Sequence, residues 1–191
     1  MNKAVFIDRD GTINFEAEYL GHVKDLRLLR GAAEGIRLLN EAGFLVIIVS
    51  NQSGIARGYY TVEDMEKVNR ELYRRLEKKN AKVDAYYFCP HHPKGPVPQF
   101  TLECECRKPE PGMFIQAMKE HNIDPTQSFA TGDRLRDLLP AMNLGCRGIL
   151  VRTGYGKNEL NEIEAMKSKK MPVPEVCGNL KEAALLITGK I

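Results

Sequence analysis

One alternation constrains the fold of this chain more than any other feature. Short apolar runs, each too brief for a helix, are separated by longer segments with the 3.6-residue period of an amphipathic helix. The runs at 3–8, 44–50, 83–89, 128–132 and 148–152 are rich in Val, Ile, Phe and Tyr. They are apolar almost throughout, so both faces of each strand need cover. Such a chain is predicted to be an α/β domain, a parallel sheet flanked by helices. The helical segments fall near 32–41, 62–80, 112–121, 136–143 and 180–187. Thr61 and Asn179 suit the N-caps of the second and last helices. Pro111 fits the first turn of the third, where a missing N–H costs nothing. Pro140 falls inside the fourth, so that helix is expected to kink or to start later.

Three stretches do not follow the pattern. Residues 14–30 are too polar and irregular for a core element. The stretch 90–109 is proline-rich and carries the cysteine cluster, which reads as an ordered loop. The charged segment 157–170 is compatible with a surface helix or with a mobile loop. At 191 residues the chain suits one domain spanning 1–191, large enough to bury its own core.

Composition narrows the function classes. Lys and Arg number 28 against 25 Asp and Glu, a net charge of +3, with the signs interleaved. No basic stripe with aromatics appears, so nucleic acid is not an expected partner. The apolar run after Met1-Asn2-Lys3 is too short for a signal-peptide core, and no segment approaches the ~20 residues of a membrane span. Three of the five cysteines crowd into positions 89–106, unlike a spread disulfide framework, so a reducing cytoplasmic setting is expected.

In an open parallel sheet, ligands bind beyond the carboxyl ends of the strands. Polar clusters occur at those ends. The first run stops at Asp8-Arg9-Asp10-Gly11-Thr12, the second at Ser50-Asn51-Gln52-Ser53-Gly54, and the fourth at Gly132-Asp133-Arg134-Leu135-Arg136-Asp137. Arg107-Lys108 opens the turn before the third helix. Transfer of a phosphoryl group from a dianion needs a cation to screen it, which carboxylates such as Asp8 and Asp133 can hold as Mg²⁺, with the Asp10 carbonyl as a further oxygen. A carboxylate can itself be the nucleophile, and a second one can move the proton. Fixed donors for the transferring oxygens are available in Ser50 and Lys108. Taken singly, D-x-D-G-T also describes a capped turn, Ser50 a loop hydroxyl and Lys108 a surface charge. Their joint, ordered placement at one sheet edge argues for a phosphomonoester hydrolase.

Cys89, His91, Cys104 and Cys106 read C-x-H-x12-C-x-C. Three thiolates and an imidazole suit a closed tetrahedral Zn²⁺ site that pins a loop. Unbound thiols, or His92 in place of His91, are the alternatives. A zinc-ribbon binding module would surround the cysteines with basic and aromatic residues, whereas this loop holds Pro, Gly and Glu.

The four motifs, D-x-D-G-T, then Ser, then Lys, then G-D-x-x-x-D, resemble the haloacid dehalogenase superfamily across about residues 3–153. The resemblance implies Asp8 as nucleophile, Asp10 as general acid/base, Ser50 and Lys108 as phosphoryl stabilisers and Asp133 as a magnesium ligand. It leaves Asp137 as a weak or indirect ligand, or an exposed helix acid. D-R-D-G-T-I-N, S-N-Q-S-G-I-A-R-G and C-R-K-P-x-P-G-M resemble the heptose-bisphosphate phosphatase branch, with histidinol-phosphate phosphatases as its sister group. That resemblance implies removal of the 7-phosphate of a heptose 1,7-bisphosphate in lipopolysaccharide precursor synthesis, with a small phosphorylated sugar as partner. It also places Glu16, Tyr19, Asn51, Gln52, Ser53, Arg107 and Arg134 at the substrate. Glu16 and Glu18 keep an ammonium-bearing substrate such as histidinol phosphate in play. The gaps between motifs leave no room for a cap domain, so 14–30 and the cysteine loop are expected to wall an open cleft, in a protein expected to be monomeric.

Overall fold

The computed structural model describes residues 1–190. Six strands form one all-parallel sheet: β1 Ala4–Ile7, β2 Leu45–Asn51, β3 Ala85–Cys89, β4 Phe129–Gly132, β5 Arg147–Val151 and β6 Glu175–Cys177. Their spatial order is β3-β2-β1-β4-β5-β6. The chain works outward from β1 to β3, then crosses to the other side of β1 and works outward again. The order therefore reverses between β1 and β4, and the carboxyl ends of these two strands flank the crevice that such a reversal opens.

Side chains alternate along the strands and divide the core in two. Val5, Ile7, Val46 and Ile48 pack with helices α1 (Ala32–Glu41), α2 (Val62–Glu77) and α6 (Leu180–Ile187). Ala4, Phe6, Ile47 and Val49 face α3 (Gly112–Glu120), α4 (Leu135–Asn143) and α5 (Leu160–Ser168). Covering both faces is what the unbroken apolar runs require. No helix among the described residues is long and apolar enough to cross a membrane.

The five predicted strands and five predicted helices are all present. β6 was not anticipated. It has three residues and lies at the sheet edge, too short for a periodic signal. The segment 157–170 contains α5, with Ile163 and Met166 buried. Thr61 caps α2 in a reciprocal box with Asp64, and the Asn179 side chain accepts from the Glu182 N–H. Pro111 stands at the N-cap of α3, one position before the first turn. α4 begins at Leu135, earlier than expected, with Pro140 inside it; the missing N–H deprives only the carbonyl four residues back of its partner. Residues 14–30 are more ordered than their polarity suggests. Asn14 bridges both Asp10 and Leu28, and Leu20 and Leu26 are buried.

Candidate active site

Asp8 follows β1 directly, and its backbone N–H donates to the Thr131 carbonyl at 2.9 Å, so the strand pairing carries its position. Lys108 arrives from the turn before α3. Its Nζ donates to Asp8 Oδ1 at 2.7 Å and to the Val49 carbonyl at 2.7 Å, and lies 2.8 Å from Asp137 Oδ1. Lys108 is 2 % exposed and Asp137 5 %. Neither is the surface charge or exposed helix acid that its position alone would allow. Burial would depress the Lys108 pKa, but Asp137 and Asp8 outweigh it and raise the value, so the ammonium persists. Burial, reinforced by Asp137, Asp133 and Asp10 against Lys108, holds the Asp8 carboxyl well above its ordinary range. Asp133 is pushed up to about 7 by burial and then by Asp137, despite accepting the Tyr155 N–H at 2.7 Å.

Asp8, Asp133 and Asp137 offer oxygens within 4.8 Å of one another. One ammonium cannot neutralise three converging carboxylates, and their mutual repulsion adds to burial in raising Asp8 and Asp133. A divalent cation fits this donor set, all hard oxygens. The backbone crowds close to the site: a Cβ at Gly11 or Gly154 would strike the Asp133 carboxylate. Gly11 has φ of 84° and Gly154 of 52°, conformations that suit glycine.

Asp10 is held differently. Arg9 donates to both of its oxygens at 2.8–3.1 Å, Asn14 Nδ2 to Oδ1 at 2.8 Å and Gln52 Nε2 to Oδ2 at 3.0 Å. Gln52 Nε2 also donates to Ser50 Oγ at 2.8 Å, which leaves the serine proton free to be donated elsewhere. Gln52 is thus buried under the site and does not line the cleft, the place expected from its position beside Ser50 and Asn51. Asn51 stays at the cleft wall, while its amide both donates to and accepts from the Lys108 backbone at 2.9 and 3.0 Å. Both amides are taken up by buried backbone and carboxylate groups that need partners.

Above this floor opens a cleft of about 430 Å³. Glu16, Tyr19, Ser53, Arg107 and Arg134 line it, with Asp8, Asp10, Ser50, Asn51 and Asp133. Its walls also include Arg57, His92, Arg136 and Tyr155, which no motif in the sequence marks as substrate-facing. Among the described residues none of Arg57, Arg107, Arg134 and Arg136 has a carboxylate within 4.0 Å. Arg134 stacks on the Tyr155 ring at 3.6 Å, and Arg57 lies 3.0 Å from His92 Nε2. Glu16 is the local counter-charge, its carboxyl raised by burial and by Asp10.

Cys89, at the end of β3, meets His91, Cys104 and Cys106 within 4.8 Å. Cys89 and Cys104 sulfurs are 3.5 Å apart, Cys104 and Cys106 3.2 Å, and His91 Nδ1 lies 3.3 Å from Cys106 and 3.7 Å from Cys89. Tetrahedral zinc with these ligands has edges of roughly 3.5–3.8 Å, so the cluster is slightly tight but closed on all four sides. All five cysteines are free thiols. Burial and mutual crowding raise the Cys89 and Cys106 thiols, as expected of sulfurs that need a cation to ionise together. The loop reaches the cleft through Arg107, whose guanidinium donates to the His91 carbonyl at 3.0 Å.

Comparison with known proteins agrees with this geometry. Residues 105–183 match the HAD-hydrolase-like family model, and residues 5–137 the polynucleotide kinase 3 phosphatase model. The D-glycero-beta-D-manno-heptose-1,7-bisphosphate 7-phosphatase of Haemophilus ducreyi is 42% identical over 154 residues, covering 80% of this chain and 84% of that protein. The Escherichia coli K12 enzyme of the same name is 40% identical over 153 residues, covering 79% and 80%. The crystal structure of a D,D-heptose 1,7-bisphosphate phosphatase from B. bronchiseptica, complexed with magnesium and phosphate, superposes with a TM-score of 0.85 at 30% identity and covers 99% of both chains. That from Burkholderia thailandensis gives 0.69 at 29% identity, covering 96% and 97%. The chain belongs to the haloacid dehalogenase-like hydrolases, in the family of the D-glycero-beta-D-manno-heptose-1,7-bisphosphate 7-phosphatases.

Proposed function

We propose that this chain removes the 7-phosphate of D-glycero-D-manno-heptose 1,7-bisphosphate through an aspartyl-phosphate on Asp8. The observation that carries the reading is the buried contact of Lys108 Nζ with Asp8 Oδ1 at 2.7 Å, beneath a cleft lined by four arginines without acidic partners. Lys108 fixes one carboxylate oxygen of Asp8 and leaves the other to attack phosphorus. As the bond from phosphorus to the C7 oxygen breaks, Asp10 delivers a proton to that oxygen. Asp10 then takes a proton from water as the water oxygen attacks the phosphorus of the aspartyl-phosphate, releasing Asp8 and inorganic phosphate. The Ser50 hydroxyl donates to a non-bridging oxygen throughout.

Asp8 and Asp133 would hold Mg²⁺, with the Asp10 backbone carbonyl; a cation there supplies charge neutralisation between the carboxylate and the phosphate dianion. Asp137 serves Lys108 instead, since one of its oxygens faces that ammonium and the other accepts the Arg134 N–H at 3.2 Å. Cys89, His91, Cys104 and Cys106 would hold a structural Zn²⁺, which would fix the loop bearing Arg107. The second phosphate of the substrate accounts for the unpaired arginines, with Arg107 and Arg134 as its contacts. Glu16, Tyr19 and Ser53 line the sugar. All of these residues belong to one copy of the chain, so the reaction needs no partner subunit.

The test is phosphate release with Mg²⁺ from both anomers of the heptose 1,7-bisphosphate and from histidinol phosphate. The expected product is the heptose 1-phosphate, formed far faster than phosphate is released from histidinol phosphate. Loss of phosphate from C1, or preference for histidinol phosphate, overturns the substrate assignment.

A further inference from the structure

Arg9 is fully buried, lines neither the cleft nor the carboxylate cluster, and has no part in the reaction as described so far. Each nitrogen of its guanidinium nevertheless has a partner. Nε and one terminal nitrogen grip Asp10, and that same terminal nitrogen reaches Gln52 Oε1 at 3.1 Å. The other donates to Asn69 Oδ1 at 3.0 Å, from the buried face of α2. Tyr60 donates to Gln52 Oε1 at 2.7 Å and fixes which way that amide points.

A buried ion pair is a poor device for stability alone, because apolar residues of similar size commonly stabilise as well or better. This one is asymmetric: Arg9 is wholly enclosed, while the Asp10 side chain keeps 19 % of its surface exposed on the cleft side. The planar guanidinium fixes both the position and the plane of a carboxylate in a way that a point-like ammonium does not. We propose that Arg9, braced by Asn69 and Gln52, is a positioning residue that holds the Asp10 carboxylate in line with the leaving oxygen and, through Gln52, in register with the Ser50 hydroxyl. The inference rests on Asp10 being the acid and base of the proposed reaction.

That role has a signature which simple loss of structure lacks. A sugar alkoxide needs a proton as it leaves, whereas 4-nitrophenolate does not. Both substrates need Asp10 afterwards, when water attacks the aspartyl-phosphate. Arg9→Met and Arg9→Lys are compared with the unchanged protein, with folding checked by circular dichroism and thermal melting. On the heptose bisphosphate, kcat is expected to fall on the order of 10²-fold in Arg9→Met, the size of a typical acid/base contribution, while KM moves less than about threefold. Arg9→Lys should fall in between. With 4-nitrophenyl phosphate, the first equivalent of nitrophenolate should still appear at close to the unchanged rate, followed by a slow steady state.

Asn69→Ser removes only the distant brace; it carries the same test with a smaller loss should the Arg9 variants not fold. Unchanged kcat on the bisphosphate in folded variants overturns the proposal. Equal slowing of the nitrophenolate burst and the steady state also overturns it, since that is what general disorder would produce. Asp10→Asn separates the two readings. If it remains active, the assignment of Asp10 fails; if it is inactive while Arg9 variants keep full kcat, only the role of Arg9 fails.

Discussion

The floor and the rim of the cleft are built on opposite principles. On the floor, Asp8, Ser50, Lys108, Asp133 and Asp137 are buried at strand ends or helix starts, and Lys108 alone has three partners at 2.7–2.8 Å. On the rim, Arg134 is held by stacking, Arg57 by a histidine nitrogen and Arg107 by one carbonyl, and Tyr19 and Tyr59 pack edge to face at 4.4 Å while still exposed. The floor is over-determined because buried charges must be paired. The rim can leave its charges unpaired because water solvates them until an anion arrives. The contrast suggests that the chemistry tolerates almost no change, whereas substrate preference can be retuned one side chain at a time.

Mutations on the two sides should therefore differ in kind. Asp8→Asn should cost at least about 10³-fold in kcat with the melting curve little changed, because it removes the proposed nucleophile. Retained phosphate release would break the distinction at its strongest point. Lys108→Met leaves two buried carboxylates without their ammonium and should cost about 3–5 kcal/mol of stability, read in urea unfolding of the metal-free protein, as well as activity. A stable variant would mean that the floor is less tightly coupled than its distances indicate.

Arg107→Ala should instead raise KM for the bisphosphate by about 10- to 100-fold, the worth of one or two charge-assisted hydrogen bonds, with kcat and the melting temperature nearly unchanged. A fall in kcat alone would move Arg107 from the rim to the floor. Away from both, Thr61→Ala breaks the capping box of α2 and should cost about 1 kcal/mol with no effect on turnover. Any change in KM would show that α2 reports to the site.

Much of the framework was legible in the residues. Apolar runs mark β1 to β5 because a strand covered on both faces must be apolar throughout, and Asp, Gly and Ser at their ends mark where the backbone turns toward the crevice. β6 was invisible, since Glu175-Val176-Cys177 owes its pairing to β5 and not to its own pattern. Gln52 is buried beneath the cleft and not on its wall as Asn51 is: whether an amide faces ligand or interior depends on which buried groups lack partners. Arg9, between two aspartates, looks like a solvated charge until α2 delivers Asn69 to it.

Local order in the sequence determined which residue types stand at the sheet's ligand edge, because strand period and turn chemistry act over a few neighbours. Only the tertiary structure decided how they pair. Lys108 and Asp8 are 100 positions apart, and Arg9 and Asn69 are 60 apart. Asp8 and Asp137 went to the lysine, and Asp10 to the buried arginine. Such choices follow from which charges folding brings together away from water, where each must find the partner that costs least, and no local pattern encodes that distance.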